Sequence, residues 1–224
     1  MWELKFRNTN LSLSILLWLL VITVFAIYPI TDKGLFSEIL FVLFVCFIFL
    51  SGIFSLTHKR KERAITISLT FLLFMAGIFI LDRNLGETNI IMMALLIAYL
   101  TLLSLLLLKK IFTADIYIIV RIQGAVAVYI LFALIFSLAY RICFLADPTS
   151  IHFTNIQNAS GKAAPFEYLY FSFLILTTMG YGTAYPVGHF VQSLAMVEAL
   201  LGVLFPSVLI ARLMSMGSIT NKEK

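Results

Sequence analysis

The chain has 224 residues and a formal net charge of +5, and 62% of its residues are hydrophobic while only 12% are charged. Soluble domains average roughly 45–50% apolar and 25% charged residues, so this composition excludes a disordered chain and a water-soluble domain with an ordinary charged surface. The basic residues are spread along the chain rather than gathered in one patch, so we expect an integral membrane protein without a nucleic-acid partner.

Apolar runs long enough to cross a membrane recur along the chain. A transmembrane helix needs about 20 apolar residues, and six runs reach or approach that length: 11–30, 35–56, 64–81, 89–108, 115–144 and 189–214. A further run, 165–178, holds only about 14 residues, which suits a re-entrant segment better than a span. We therefore expect an all-α membrane protein with six transmembrane helices and a re-entrant helix between the fifth and the sixth.

The basic residues predict how these helices are oriented. With the start of the chain placed in the cytoplasm, twelve of the sixteen lysines and arginines fall on the cytoplasmic side and four on the outer side. Cytoplasmic loops carry an excess of Lys and Arg, so a multi-pass protein with both termini in the cytoplasm is expected. The outer face has a small net negative charge, which would concentrate cations weakly.

The most informative segment follows the short apolar run and comprises Thr178, Met179, Gly180, Tyr181 and Gly182, here called the filter segment. Rings of backbone carbonyls from four chains can replace the hydration shell of a potassium ion. Aiming successive carbonyls at one axis requires a backbone that alternates between conformations, and Gly180 and Gly182 adopt positive φ without steric cost. Thr178 can add a hydroxyl ring at the inner end, and Tyr181 is expected to point outward as a spacer.

The predicted re-entrant helix, about 165–177, has a suitable beginning and end. It starts with Pro165, which is favoured in a first helical turn, and Glu167 lies near its positive end. Its last carbonyls form the negative end of the helix dipole and would point to the pore centre, where a cation lies in a low-dielectric environment.

These residues resemble a known family, the potassium channels with a pore loop between two helices. Residues 170–182 are similar to that family's pore helix and selectivity filter, and 193–202 and 208–213 to the inner helix of its bacterial members. The resemblance covers about 120–214. It implies a homotetramer in a bacterial inner membrane that binds K⁺ at Thr178, Met179, Gly180 and Tyr181, with no cofactor besides the permeating ion.

The resemblance also suggests how the chain is organised. Residues 1–114 would form a four-helix membrane domain, 115–218 a pore module of outer helix, pore helix, filter and inner helix, and 219–224 a short cytoplasmic tail. No charged residue occurs in 89–108, whereas a voltage sensor needs several arginines there, since each charge contributes only about 2.3 kcal/mol per 100 mV. The first four helices are therefore expected to scaffold the tetramer or to sense lipid and tension.

The chain departs from the family around the filter segment. The family usually has Asp after the second filter glycine, where this chain has Thr183, and many members have Trp and Glu on the pore helix, where it has Tyr170, Phe171 and Leu174. An altered polar brace behind the filter is expected, and Met179 is more flexible than the usual β-branched residue. Lower selectivity or faster inactivation is the resulting hypothesis. The candidate supporting residues are Tyr170, Thr177, Thr183 and Glu198.

The last predicted helix contains the candidate gating and cavity residues Gly202, Val203, Pro206 and Ile210. Gly202 lies where the family has a hinge glycine, and close helix packing is an equally supported alternative. The other three share one helical face and would line the inner cavity, and Pro206 would kink the helix. Glu198 either attracts cations to the cavity or, as we prefer, hydrogen-bonds to the pore helix behind the filter.

The function expected is passive, potassium-selective conduction. The alternatives are a weakly selective cation channel with the same pore and a membrane scaffold subunit that does not conduct. An enzyme is not expected, because the sequence shows no nucleophile–base or metal-ligand constellation.

Overall fold

The computed structural model describes residues 14–22, 24, 90–113, 118–154, 165–180 and 182–220. The elements within them are, in chain order, α1 (Ile90–Thr113), α2 (Ile118–Ala146), β1 (Ile151–Phe153), α3 (Pro165–Leu176), β2 (Ala184–Pro186) and α4 (His189–Thr220). Residues 14–22 are also helical. The predicted second and third spans, 35–56 and 64–81, lie outside the described residues, as does much of the first.

Three of the described helices are long and apolar enough to cross a membrane, over Met93–Phe112, Ile118–Ala146 and His189–Ser215. The shortest, α1, has 24 residues, and at about 1.5 Å of rise per residue it exceeds the roughly 30 Å hydrocarbon core. These helices correspond to the fourth, fifth and sixth predicted spans and support the expected all-α membrane protein. The helix α4 runs past the apolar run 189–214 to Thr220.

The chain divides into two compact units, Met1–Ala139 and Tyr140–Lys224. In the first unit, the guanidinium of Arg121 on α2 donates a hydrogen bond to the carbonyl oxygen of Ile111 at 2.9 Å. That carbonyl lies in the last turn of α1, where backbone oxygens lack partners within the helix. A Cβ on Gly124 would lie 3.0 Å from Cγ1 of Ile111, so α2 meets the end of α1 through a residue without a side chain.

The second unit is built around an aromatic cluster. The ring centroids of Tyr140 and Phe171 are 4.8 Å apart, those of Phe153 and Tyr168 are 5.4 Å apart, and those of Phe144 and Tyr168 are 5.7 Å apart, all in edge-to-face arrangements. Such pairs are each worth about 0.5–1.5 kcal/mol beyond the area they bury. The cluster joins the end of α2, the strand β1 and the helix α3.

A two-stranded antiparallel sheet adds to the helical fold. Its residue pairs are Ile151 with Pro186, His152 with Tyr185, and Phe153 with Ala184. The sequence predicted no strand here, because three residues are too few to show the alternation that identifies one. The sheet places the residues that follow the filter segment beside the residues that follow α2.

A short turn connects α2 to this sheet. The hydroxyl and the backbone N–H of Thr149 donate to Oδ1 of Asp147 at 2.7 and 2.9 Å. Both bonds favour the ionised carboxylate, and they hold the pKa of Asp147 below its ordinary value. The turn ends at Ser150, whose N–H donates to the carbonyl oxygen of Asp147 at 3.0 Å.

Candidate functional site

The site begins with the short helix α3, which has the extent that the sequence predicts. It spans the 12 residues Pro165–Leu176, with proline at its start and Glu167 in its first turn. Its core-facing side is well packed, since Tyr168, Leu169 and Phe171 are buried. The helix therefore forms a fixed base for the filter segment that follows it.

The end of α3 is closed by two backbone hydrogen bonds. The N–H of Thr178 donates to the carbonyl oxygen of Ile175 at 2.9 Å, and the N–H of Met179 donates to that of Leu174 at 2.9 Å. This pair of bonds defines a Schellman motif, in which the residue after the helix cap takes a left-handed conformation, usually as glycine. Here that residue is Thr178, with φ of 58°. A β-branched residue in this region is strained.

Positive φ recurs at every second residue of the filter segment. The values are 58° at Thr178, 57° at Gly180 and 75° at Gly182, and Met179 lies between the first two without positive φ. The expectation for the two glycines is thus confirmed, and Thr178 extends the alternation by one position. A Cβ on either glycine would meet nothing within 4 Å, so these positions favour glycine because of their backbone conformation rather than crowding.

The filter segment is accessible in the single chain. Thr178, Met179, Gly180 and Gly182 are exposed, and 58% of the Met179 surface is accessible. Tyr181 lies outside the described residues, so its predicted outward orientation stays a prediction. Among the described residues, no group of His, Cys, Asp and Glu side chains is arranged to hold a metal ion. The oxygen atoms that the described part of the site exposes include backbone carbonyls and the Thr178 hydroxyl.

Glu198 on α4 is fully buried and hydrogen-bonded to two other helices. The hydroxyl of Tyr140 on α2 donates to its Oε2 at 2.6 Å, and the hydroxyl of Ser172 on α3 donates to its Oε1. A buried carboxyl group is costly unless such partners are present. This is the arrangement that the preferred alternative for Glu198 describes, a hydrogen bond to the short helix rather than exposure to a cavity.

Gly202 lies one turn after Glu198 and packs against the end of α3. A Cβ at Gly202 would overlap the carbonyl oxygen of Leu176 and lie 2.8 Å from its carbonyl carbon. The contact supports the packing interpretation of Gly202. The helix α4 continues through Pro206, and the neighbouring candidates Val203 and Ile210 are exposed in the single chain.

The remaining predicted supporting residues have other partners. The ring of Tyr170 stacks on Phe166 with a centroid distance of 6.3 Å, and the hydroxyl of Thr177 donates to the Phe173 carbonyl oxygen at 2.5 Å. The hydroxyl oxygen of Thr183 is buried and has no hydrogen-bond partner among the described residues. Tyr181 lies outside the described residues, so the role of Tyr170 and Thr183 in an altered brace behind the filter stays a prediction.

Three residues of the site were missed at the sequence level. Tyr140 and Ser172 lie within mostly apolar runs, and nothing in the sequence indicates that both meet Glu198. Thr154 lies in a polar stretch and contacts the carbonyls at the outer end of the filter segment. Only the β-branched and aromatic residues of 151–154 could have indicated the strand that places Thr154 there.

Part of the chain matches a known protein family. Residues 126–218 match a family model described as "Ion channel". The match indicates an ion channel. It extends from the middle of α2 through the short helix α3 and the filter segment into the last turns of α4, which is less than half of the 224 residues. No curated protein and no solved structure matches the chain.

The matched residues contain the whole site described above. The channel match and the three long apolar helices together support a membrane protein with an ion-channel domain.

Proposed function

We propose that the protein is a potassium-selective channel that conducts K⁺ passively through a homotetrameric pore. The observation that carries this proposal is the positive φ at Thr178, Gly180 and Gly182 directly after α3. Such alternation turns successive carbonyls toward one side of the chain, as a stack of ion-binding rings requires. Backbone carbonyl oxygens of this kind can replace the hydration shell of a permeating cation.

In this proposal the backbone carbonyls of Thr178, Met179, Gly180 and Tyr181 form four rings around the pore axis. The Thr178 hydroxyl adds oxygen ligands at the inner end. The last carbonyls of α3 point their negative dipole end toward the same axis. Glu198, buried between three helices, supports the base of the filter segment from behind.

Assembly of four chains is proposed from the surface of α4. Its apolar side chains are largely exposed in the single chain, including Met196, Leu200, Leu204 and Val208. A bilayer covers part of such a surface, and neighbouring copies would cover another part. Four copies of α4 would enclose a cavity lined by Val203, Pro206 and Ile210, where an apolar ring can close the pore by excluding water.

The membrane topology completes the proposal. We place six helices and one re-entrant helix in a bacterial inner membrane, with both termini in the cytoplasm. The distribution of Lys and Arg supports this orientation.

A weakly selective cation channel is the second candidate. Thr183 in place of an acidic residue and the flexible Met179 favour it, because both would leave the carbonyl rings less rigid. A scaffold subunit that does not conduct is the third, and only a flux measurement separates it from the first two.

The test is potassium flux into liposomes that contain the purified full chain, with sodium as the opposing ion. We expect potassium-selective uptake, and we expect Gly180→Ala to abolish it because an alanine at φ of 57° is strained. The matched control is Gly188→Ala. Gly188 lacks positive φ, and its new Cβ would lie 3.3 Å from Cβ of Ser150, which needs only a small shift.

The outcomes separate the candidates. Equal sodium and potassium flux would favour the weakly selective channel. Absence of flux from well-folded tetramers would favour the scaffold subunit. Unchanged flux in Gly180→Ala would contradict the assignment of the filter segment.

A further inference from the structure

The residue after β1 contacts the outer end of the filter segment. The backbone N–H of Thr154 donates to the carbonyl oxygen of Thr183 at 2.9 Å. Its hydroxyl donates to the same oxygen at 2.6 Å and lies 3.4 Å from the carbonyl oxygen of Gly182. Thr154 thus binds the carbonyl of the residue directly after the filter segment, and its hydroxyl lies beside the last carbonyl of that segment.

The strand pair holds Thr154 in this position. At its other end, the N–H groups of Val187 and Gly188 both donate to the carbonyl oxygen of Ser150, at 2.8 and 3.0 Å. Hydrogen bonds at both ends of a short sheet limit fraying, which an isolated two-stranded sheet would otherwise show. The residues after the filter segment are therefore tied to β1 along the whole length of β2.

The strand β1 is in turn attached to the helices. The ring of Phe153 contacts the rings of Phe144, Tyr168 and Phe171, with centroid distances of 6.0, 5.4 and 6.2 Å. The first of these rings belongs to α2 and the other two to α3. A continuous series of contacts therefore runs from the packed side of α3 through Phe153 and Thr154 to the outer end of the filter segment.

The backbone conformation at Gly182 is sensitive to the contacts that Thr154 makes beside it. Glycine has the largest backbone freedom of any residue, so its carbonyl direction is set by the groups to which the chain is bonded. The hydroxyl of Thr183 has no hydrogen-bond partner among the described residues. In the part of the chain that the structure describes, the Thr183 carbonyl accepts both the N–H and the hydroxyl of Thr154, and the Gly182 carbonyl lies 3.4 Å from that hydroxyl.

We propose that Thr154 is a positioning residue: by binding the Thr183 carbonyl directly after the filter segment, it fixes the outer end of that segment and so sets how strictly the pore selects its ion. The inference rests on the proposed function, since it assigns a determinant of selectivity to the same pore. The chain has Thr183 rather than an acidic residue directly after Gly182. In this arrangement the outer end of the filter segment is held by Thr154, which precedes α3 in the chain.

The test is Thr154→Val, which removes the hydroxyl but keeps the backbone N–H and the shape of the side chain. Reversal potentials in planar bilayers, with sodium opposing potassium, give the ratio of sodium to potassium permeability. We expect this ratio to rise by about two- to tenfold, the range that corresponds to loss of one neutral hydrogen bond. Thr154→Ser keeps the hydroxyl, and we expect it to retain the wild-type ratio.

The matched control is Thr149→Val, the same substitution in the same loop. The hydroxyl of Thr149 bonds to Asp147 and we expect its loss to leave the permeability ratio unchanged. A second measurement does not depend on conduction: hydrogen exchange of the peptide covering 182–188, read by mass spectrometry. We expect faster exchange in Thr154→Val than in Thr149→Val.

Failure of the inference and failure of the proposed function give different results. A selective wild type with an unchanged ratio and unchanged exchange in Thr154→Val would overturn the inference and leave the channel intact. A wild type that passes sodium and potassium equally, or neither, would overturn potassium selectivity and the inference with it. A ratio that rises equally in Thr154→Ser would also overturn it, because the hydroxyl would then have no part in the effect.

Discussion

At the scale of single residues, the backbone conformation of Thr178 stands out. Its φ of 58° follows from the way α3 ends, because the Schellman hydrogen bonds require a left-handed residue at that position. A non-glycine residue held there costs of the order of 1–3 kcal/mol. We infer that the side chain is retained for its hydroxyl, which the proposed pore uses at its inner end.

The variant Thr178→Gly tests this idea. We expect it to raise the stability of the folded protein by about 1 kcal/mol, since glycine removes the strain but adds freedom to the unfolded chain. Potassium flux should fall because the hydroxyl is lost. Thermal unfolding in detergent and liposome flux measure the two effects.

Thr177→Gly is the control for the Thr178 variant. Thr177 lacks positive φ, so glycine there relieves no strain and should lower stability. Equal stability changes in the two variants would contradict the assignment of strain to Thr178.

At this scale, the sequence could predict a positive φ only where the residue is glycine. Positive φ at Gly180 and Gly182 could be predicted, because glycine reports directly on such conformations. The same conformation at Thr178 could not, since it depends on which carbonyls of α3 accept the hydrogen bonds of the next two residues. The partners of Glu198 were equally hidden, because Tyr140 and Ser172 are far from it in the sequence.

At the scale of elements, the contact between α3 and α4 positions the filter segment. Ser172 and Leu176 are four residues apart on α3, and they meet Glu198 and Gly202, which are four residues apart on α4. Residues at this spacing lie on one face of a helix. The two contacts are thus consecutive turns of one interface, and the second, at Leu176, lies two residues before the filter segment begins.

The variant Gly202→Ala tests whether this glycine serves packing. The added methyl group would overlap the Leu176 carbonyl, so we expect a loss of about 1–3 kcal/mol in the free energy of unfolding, as overpacked cores show. Denaturant or thermal unfolding of the purified protein measures it.

A hinge glycine would give the opposite pattern in Gly202→Ala. Stability would stay near the wild-type value while channel opening fell, because alanine stiffens a helix without needing extra room. The control is Ser193→Ala, at an exposed position of the same helix. Among the described contacts, the Ser193 hydroxyl bonds only to the His189 carbonyl, so this substitution does not alter the contact between α4 and α3.

Elements differed in how well the sequence predicted them. The helices α1, α2, α3 and α4 could be placed because long and short apolar runs distinguish themselves by length. The sheet of β1 and β2 could not, since its stability comes from Phe153 among the helix aromatics and from hydrogen bonds to residues about thirty positions later. Such long-range partners leave no local pattern.

At the scale of the whole molecule, α4 leaves most of its apolar surface uncovered in the single chain. Leu200, Leu204 and Val208 are each more than half exposed, although the helix carries the buried Glu198 and Gly202 on its opposite side. A lipid environment and further copies of the chain are the coverings that the proposed function supplies.

Native mass spectrometry of the detergent-purified protein measures the number of copies. We expect four, because one filter segment per chain supplies only a quarter of each carbonyl ring. A monomer or a dimer at concentrations that support flux would contradict the homotetrameric pore. The variant Thr154→Val should keep the same number of copies, since its change lies in the outer loop.

The paired contacts of α4 with α3 have a consequence for how the inner helix can move. Sliding α4 along α3 by one turn, about 5.4 Å, would bring a side chain to the place of Gly202 and remove the carboxylate from Ser172 in the same step. Interfaces of this kind switch between discrete arrangements rather than deforming gradually. A displacement of α4 along α3 would therefore break the contacts of Glu198 and Gly202 together. The two contacts allow only one register between these helices.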